Sequence, residues 1–105
     1  MIDLAPHHLE QVRRILAKRV PQCEVRAFGS RVGRAPKDYS DLDLALVGPA
    51  MLDDDTLRRL KEDFQESELP FRVDVLDWHA TSPEFQQVIA RRYEILQVPA
   101  SKLPG

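Results

Sequence analysis

The chain contains a single cysteine, Cys23, among 105 residues. One thiol excludes an intrachain disulfide and a cysteine metal cluster. Cys23 follows Pro21 near the first strand and reads as a structural residue. Long hydrophobic runs are missing as well, since none approaches the ~20 residues that a membrane span needs. The N-terminus lacks the charged start and apolar core of a secretory signal, so the cytoplasm is the expected compartment. Nor is there an excess of one charge. Fifteen basic residues against 17 acidic ones leave a net charge of −2. That balance gives no general attraction to nucleic acid, and direct nucleic-acid binding is not expected. There is no internal repeat and no low-complexity block. The length fits one domain, expected over 1–98, with a mobile tail over 99–105. A domain this small has no room for a separate acceptor-binding part, which points to a partner protein.

Periodicity gives the order of elements. Pro6 suits the first turn of a helix over 6–19, with an apolar stripe of Leu9, Val12, Ile15 and Leu16 bordered by Arg19. Strands are expected at 24–28, 41–47 and 71–76. A short helix should follow Gly29-Ser30, and 36–39 should be a loop. Asp53, Asp54 and Asp55 suit a helix N-terminus, where acids meet unpaired amides and the positive dipole end, better than a metal cluster. Leu57, Leu60 and Phe64 carry that helix to about Glu66. Ser82-Pro83 reads as N-cap and first residue of a final helix, with Phe85, Val88, Ile89, Tyr93 and Leu96 as its apolar side. The connection between the first two strands is too short for a parallel crossover. The expected fold is α+β, a small mixed β-sheet with helices packed against it.

The chemistry is concentrated in Gly29-Ser30, ten further residues, then Asp41-Leu42-Asp43. Glycine lets the backbone turn and approach a ligand closely. Amides after such a turn can point at anionic oxygens. Arg31, Arg34 and Lys37 add local positive charge. Side chains alternate along a strand, so Asp41 and Asp43 share one face while Leu42, Leu44 and Leu46 share the other. Two carboxylates on one half-buried face repel each other. Magnesium removes that repulsion and takes carboxylate oxygens together with substrate phosphates. Two such ions about 3.5–4 Å apart can stabilise the attacking and leaving oxygens of an in-line displacement. Asp74 lies on the face of its strand opposite Phe71, Val73 and Val75. Beside the first two acids it would complete the ion site or act as general base. Asp77 competes for that place but faces the other way at the strand end.

These residues resemble the DNA polymerase β nucleotidyltransferase superfamily. The wording F-G-S-R-V…Y-S-D-L-D-L-A-L…F-R-V-D-V-L-D-W is similar to its minimal nucleotidyltransferases, the MNT proteins, over roughly 25–96. The resemblance implies binding of a nucleoside triphosphate, usually ATP, with magnesium, and transfer of the nucleoside monophosphate to a hydroxyl. It implies that Gly29, Ser30 and Arg31 serve the nucleotide, and that Asp41, Asp43 and Asp74 serve metal and catalysis. It also implies a helical HEPN-type partner in a hetero-oligomer, with the nucleotidyltransferase as antitoxin of a toxin–antitoxin pair. One departure is visible. Many relatives carry glycine four residues after the serine, whereas here Arg34 holds that position and Gly33 precedes it.

Two other functions stay open: an antitoxin that masks its partner without catalysis, and a transferase for a small-molecule acceptor. Ser40 reads as a turn residue, and His7, His8 and His79 as ordinary polar residues. His79 could border an acceptor cleft. Trp78 could stack on a base or a partner, or simply pack.

Overall fold

The computed structural model describes residues 4–29 and 41–100. Ser30, Arg31, Gly33, Arg34, Lys37 and Ser40, the short helix expected after the Gly-Ser pair, the 36–39 loop and residues 101–105 lie outside the described residues.

The elements follow the order α1 (Pro6–Arg19), β1 (Glu24–Phe28), β2 (Leu42–Val47), α2 (Asp54–Gln65), β3 (Val73–Asp77), a 3-10 turn (Trp78–Ala80), α3 (Pro83–Arg91) and β4 (Glu94–Gln97). The sheet order is β3-β2-β1-β4. β1 pairs antiparallel with both β2 and β4, while β2 and β3 run parallel across the α2 crossover. The sheet is therefore mixed and the domain α+β, as the sequence pattern requires.

Strand parity decides which face is core. Val25 and Ala27 of β1, with Leu42, Leu44 and Leu46 of β2, are fully buried. They pack with Val12 and Leu16 of α1 and Leu60 and Phe64 of α2. Each such leucine contributes roughly 1.5–3 kcal/mol by leaving water. Arg19 at the end of α1 pairs with Asp63 of α2 and ties the two helices together over this face. Local signals start the later helices. The Asp53 carboxylate accepts from the Thr56 amide and hydroxyl, and the Ser82 hydroxyl accepts from the Phe85 amide at 3.2 Å.

The C-terminal segment departs from expectation. The final helix stops at Arg91, and Arg92 is extended, with φ −159° and ψ 112°. Glu94–Gln97 then forms β4 on the free edge of β1, with an irregularity between Val25 and Arg26. Tyr93 and Leu96 are thus not on the helix, and of its other apolar residues only Ile89 is buried. Beyond β4 the Ala100 amide donates to the Pro21 carbonyl at 2.9 Å.

Candidate active site

Two of the three acids singled out in the sequence, Asp43 and Asp74, lie on the face of the sheet away from the buried leucines. On β1 this face holds Glu24, Arg26 and Phe28; on β2, Asp43, Ala45 and Val47; on β3, Asp74 and Leu76. Phe28 is the register partner of Asp43, and Asp43 that of Asp74. A row therefore crosses the sheet from the β1 terminus to the β3 edge: Phe28, Asp43, Asp74.

Gly29 closes β1 with φ +84°, a conformation that glycine adopts without strain. A Cβ built there would lie 2.4 Å from Asp43 Oδ2 and 3.3 Å from its carboxyl carbon. The missing side chain is what lets the turn lie directly against the carboxylate. Burial pushes the Asp43 pKa up, and the charges of Asp74 and Asp41 push it further in the same direction. Of the two charges, that of Asp74 across the strand pair acts more strongly than that of Asp41 in the Asp-x-Asp motif. Asp41, just before β2, is exposed.

Among the described residues, no three acids, histidines or cysteines lie close enough to hold a metal ion by themselves. Magnesium does not demand such a cage, because it uses one or two carboxylates and completes its shell with phosphates and water. The donor set fits that requirement: hard oxygen ligands, two of them cross-strand neighbours, beside a turn with a vacant side-chain position. Asp74 has a protein partner too, Arg72 at 3.1 Å, but the arginine side chain is 75% exposed. An exposed pair of this kind is worth ~0–1 kcal/mol and does not lock the carboxylate away. Asp74 also lines a cleft of about 560 Å³ with Lys61, Phe64, Phe71 and Arg72 between α2 and the β3 edge.

Asp77, the competing third acid, lies on the opposite face from Asp43 and Asp74 and is engaged elsewhere. It pairs in register with Leu46, on the helix-covered face, and is 4% exposed. Its carboxylate accepts from the Leu52 amide at 2.7 Å and the His79 amide at 3.1 Å. It anchors the start of the 3-10 turn to the loop before α2. His79 makes a 2.7 Å hydrogen bond to the Gly48 carbonyl, a further tie to the end of β2. Cys23 is buried, and burial together with the Asp77 charge pushes its thiol up to about 11, as befits a structural cysteine.

Sequence reasoning missed an aromatic group on the same face. The Arg26 guanidinium lies over Trp78 at 5.0 Å and over Tyr93 at 4.6 Å. Phe85 of α3 meets Phe28 edge-on, with centroids 5.9 Å apart. Phe85 and Val88 are exposed, not core. The parity of β1 carried part of this signal. With Val25 and Ala27 inward, Phe28 had to share a face with Asp43. The partners from α3 and Tyr93 had no local signature.

The Gly29 turn at the end of β1 thus packs against the Asp43 carboxylate of the adjacent antiparallel strand, and Asp74 stands beside that carboxylate on β3. Residues 10–98 match the family described as Polymerase beta, Nucleotidyltransferase, and the chain belongs to it. A relative from Haemophilus influenzae, described as a probable protein adenylyltransferase MntA, is 47% identical over 96 residues, 91% of this chain and 84% of that protein. Solved structures share the fold. One, a crystal structure of a toxin–antitoxin with AMP-PNP, matches with a TM-score of 0.72 at 21% identity, covering 89% of this chain and 75% of the other. Another, a tri-AMPylated Shewanella oneidensis HEPN toxin in complex with MNT antitoxin, matches with a TM-score of 0.65 at 22% identity, covering 86% and 69%.

Proposed function

We propose that this chain moves AMP from ATP, with magnesium, onto a hydroxyl of a HEPN-type partner protein, as the antitoxin of a toxin–antitoxin pair. The observation that carries the reading is the cross-strand pair Asp43–Asp74 beside the Gly29 turn. The description of the H. influenzae relative as a protein adenylyltransferase supports the reaction class. The descriptions of the structural neighbours, one with AMP-PNP and one with an AMPylated HEPN toxin, support the nucleotide and the partner.

In this reading, amides of the Gly29-Ser30 turn hold the β- and γ-phosphates, with Arg31 adding positive charge. Asp41 and Asp43 hold magnesium, and Asp74 either joins them or takes the proton of the incoming hydroxyl. Magnesium, when bound, offsets the triphosphate charge and the charge that develops during transfer. The acceptor oxygen bonds to the α-phosphorus as the bond to the bridging oxygen of the β-phosphate breaks. Pyrophosphate leaves with that electron pair. Asp74 lies on the far side of Asp43 from the glycine turn, an order that suits an acceptor arriving over the β3 edge.

The test is co-expression with the adjacent-gene product, followed by magnesium, ATP and intact-mass analysis of both proteins. One or more AMP units on the partner, absent with Asp41→Asn plus Asp43→Asn, is the expected result. A stable complex that never gains AMP would sink the transferase reading and favour masking.

A further inference from the structure

The nucleotidyltransferase reading uses Asp74 but leaves the outer side of its strand unassigned. β3 ends the sheet, with β2 as its neighbour. Their register is unbroken from Val73 to Asp77, and β3 carries no proline, lysine or bulge to blunt the edge. The opposite edge is different: β4 has four residues and meets β1 with an irregularity. The Arg72 carbonyl accepts from the Leu42 amide at 2.9 Å. Backbone groups alternate sides along a strand, so Asp74 and Leu76 turn theirs to β2 while Val73 and Val75 turn theirs outward. Among the described residues, no backbone group bonds to those outward amides and carbonyls. The cleft of about 560 Å³ runs along the same edge, lined by Phe64, Leu69, Phe71, Val73 and Val75 together with Asp74. Unpaired backbone groups give an extended chain its affinity, and a cleft for alternate side chains gives it specificity.

We infer that β3 takes up an extended segment of the acceptor protein as an added antiparallel strand, with its hydroxyl-bearing residue opposite Asp74. The inference rests on the proposed transfer reaction for the role of the hydroxyl, but not for the pairing. Phe28, Asp43 and Asp74 already form a row across the sheet. The residue opposite Asp74 is the next member of that row and shares its face. In an antiparallel pairing it makes no backbone hydrogen bonds to Asp74, and side chains in such pairs lie closest. Its two neighbours bond to Val73 and Val75 and turn their side chains to the face of the cleft. The hydroxyl oxygen then bonds to the α-phosphorus, pyrophosphate leaves with the electron pair, and the proton passes to Asp74 or to solvent. A helical acceptor protein can offer such a segment at a terminus or a loop, but not within a helix.

The experiment is residue-resolved amide hydrogen exchange on the full chain, free and in complex with the adjacent-gene product, with magnesium and without ATP. The Val73 and Val75 amides should exchange fast in the free chain and at least about tenfold more slowly in the complex. The Asp74 and Leu76 amides, already bonded to β2, should change little. Unchanged exchange at Val73 and Val75 would overturn the inference, as would a pair that forms no complex. Equal slowing of all four amides would also overturn it, because the partner would then cover or stiffen the strand without pairing to it. Val73→Pro removes one outward amide at the first residue of an edge strand, where proline is tolerated. It should weaken the complex by on the order of tenfold, and Val73→Ala, which keeps the amide, should weaken it less. Equal affinities of the two variants would count against strand pairing. A complex with the alternating protection that never gains AMP would support the pairing and refute the transfer reading.

Discussion

Gly29→Ala is the substitution for which the structure makes the sharpest claim. Two separate penalties apply. The backbone sits at φ +84°, and holding an L-residue in that region costs about 1–2 kcal/mol. The new methyl would also lie 2.4 Å from Asp43 Oδ2, so the Asp43 carboxylate must leave its rotamer, at about 0.5–1.5 kcal/mol. The sum is roughly 1.5–3.5 kcal/mol, which lowers the melting temperature by around 10 °C in a domain of this size. Function should suffer more than stability, because moving a reacting group by about 1 Å costs on the order of 10²-fold in rate. The two penalties separate in a double-mutant cycle. Asp43→Ala removes the oxygen and the carboxyl carbon and leaves only Asp43 Cβ, at an ordinary 3.5 Å. In that background Gly29→Ala should cost only the backbone term. Thermal melts of the four proteins and AMP transfer by Gly29→Ala are the assays. Native stability and rate in Gly29→Ala would refute the close approach of turn and carboxylate. Strict additivity in the cycle would refute the contact with Asp43.

Other outcomes follow from the same geometry. Because the folded pKa of Asp43 is raised above its ordinary 3.8, the native state holds that proton more tightly than the unfolded chain. Its contribution is full below pH 3.8 and is lost as pH rises through the raised value. Urea melts should therefore show that Asp43→Asn gains stability over the native chain as pH rises through this window, and that magnesium narrows the gap at neutral pH; parallel pH profiles would contradict this. Asp77→Ala should cost about 2–4 kcal/mol by leaving two amides without their acceptor, while magnesium-dependent nucleotide binding persists in the molecules that remain folded. Loss of binding without loss of stability would return Asp77 to the site. Arg72→Ala should change stability by less than about 1 kcal/mol and leave AMP transfer in place, whereas a dead Arg72→Ala enzyme would make the exposed arginine part of the machinery.

Much of the fold is legible in the chain because its signals are local. Pro6 and Leu9 to Leu16 mark α1, Asp53 caps α2, and Ser82-Pro83 starts α3. Alternation along Asp41 to Leu46 separates acids from core without reference to any other element. β4 shows where local reading stops. Phe85, Val88, Ile89, Tyr93 and Leu96 fit a helical period, and no glycine or proline interrupts them. A helix makes its hydrogen bonds within itself, but a four-residue strand exists only because β1 offers a free edge. That pairing joins residues about 70 positions apart, beyond any window of periodicity.

The same division runs through the site. The sequence by itself determined the Gly-Ser pair, the Asp-x-Asp spacing and a third acid on the polar face of its strand, because spacing and parity are properties of one strand at a time. Only the tertiary structure decided that Asp74 pairs with Asp43 and that Asp77 is a buried anchor. It alone fitted Gly29 against a carboxylate and set Phe85 beside Phe28. Each of these depends on register between strands or on where a helix lies across the sheet, and those are fixed by the packing of the whole core.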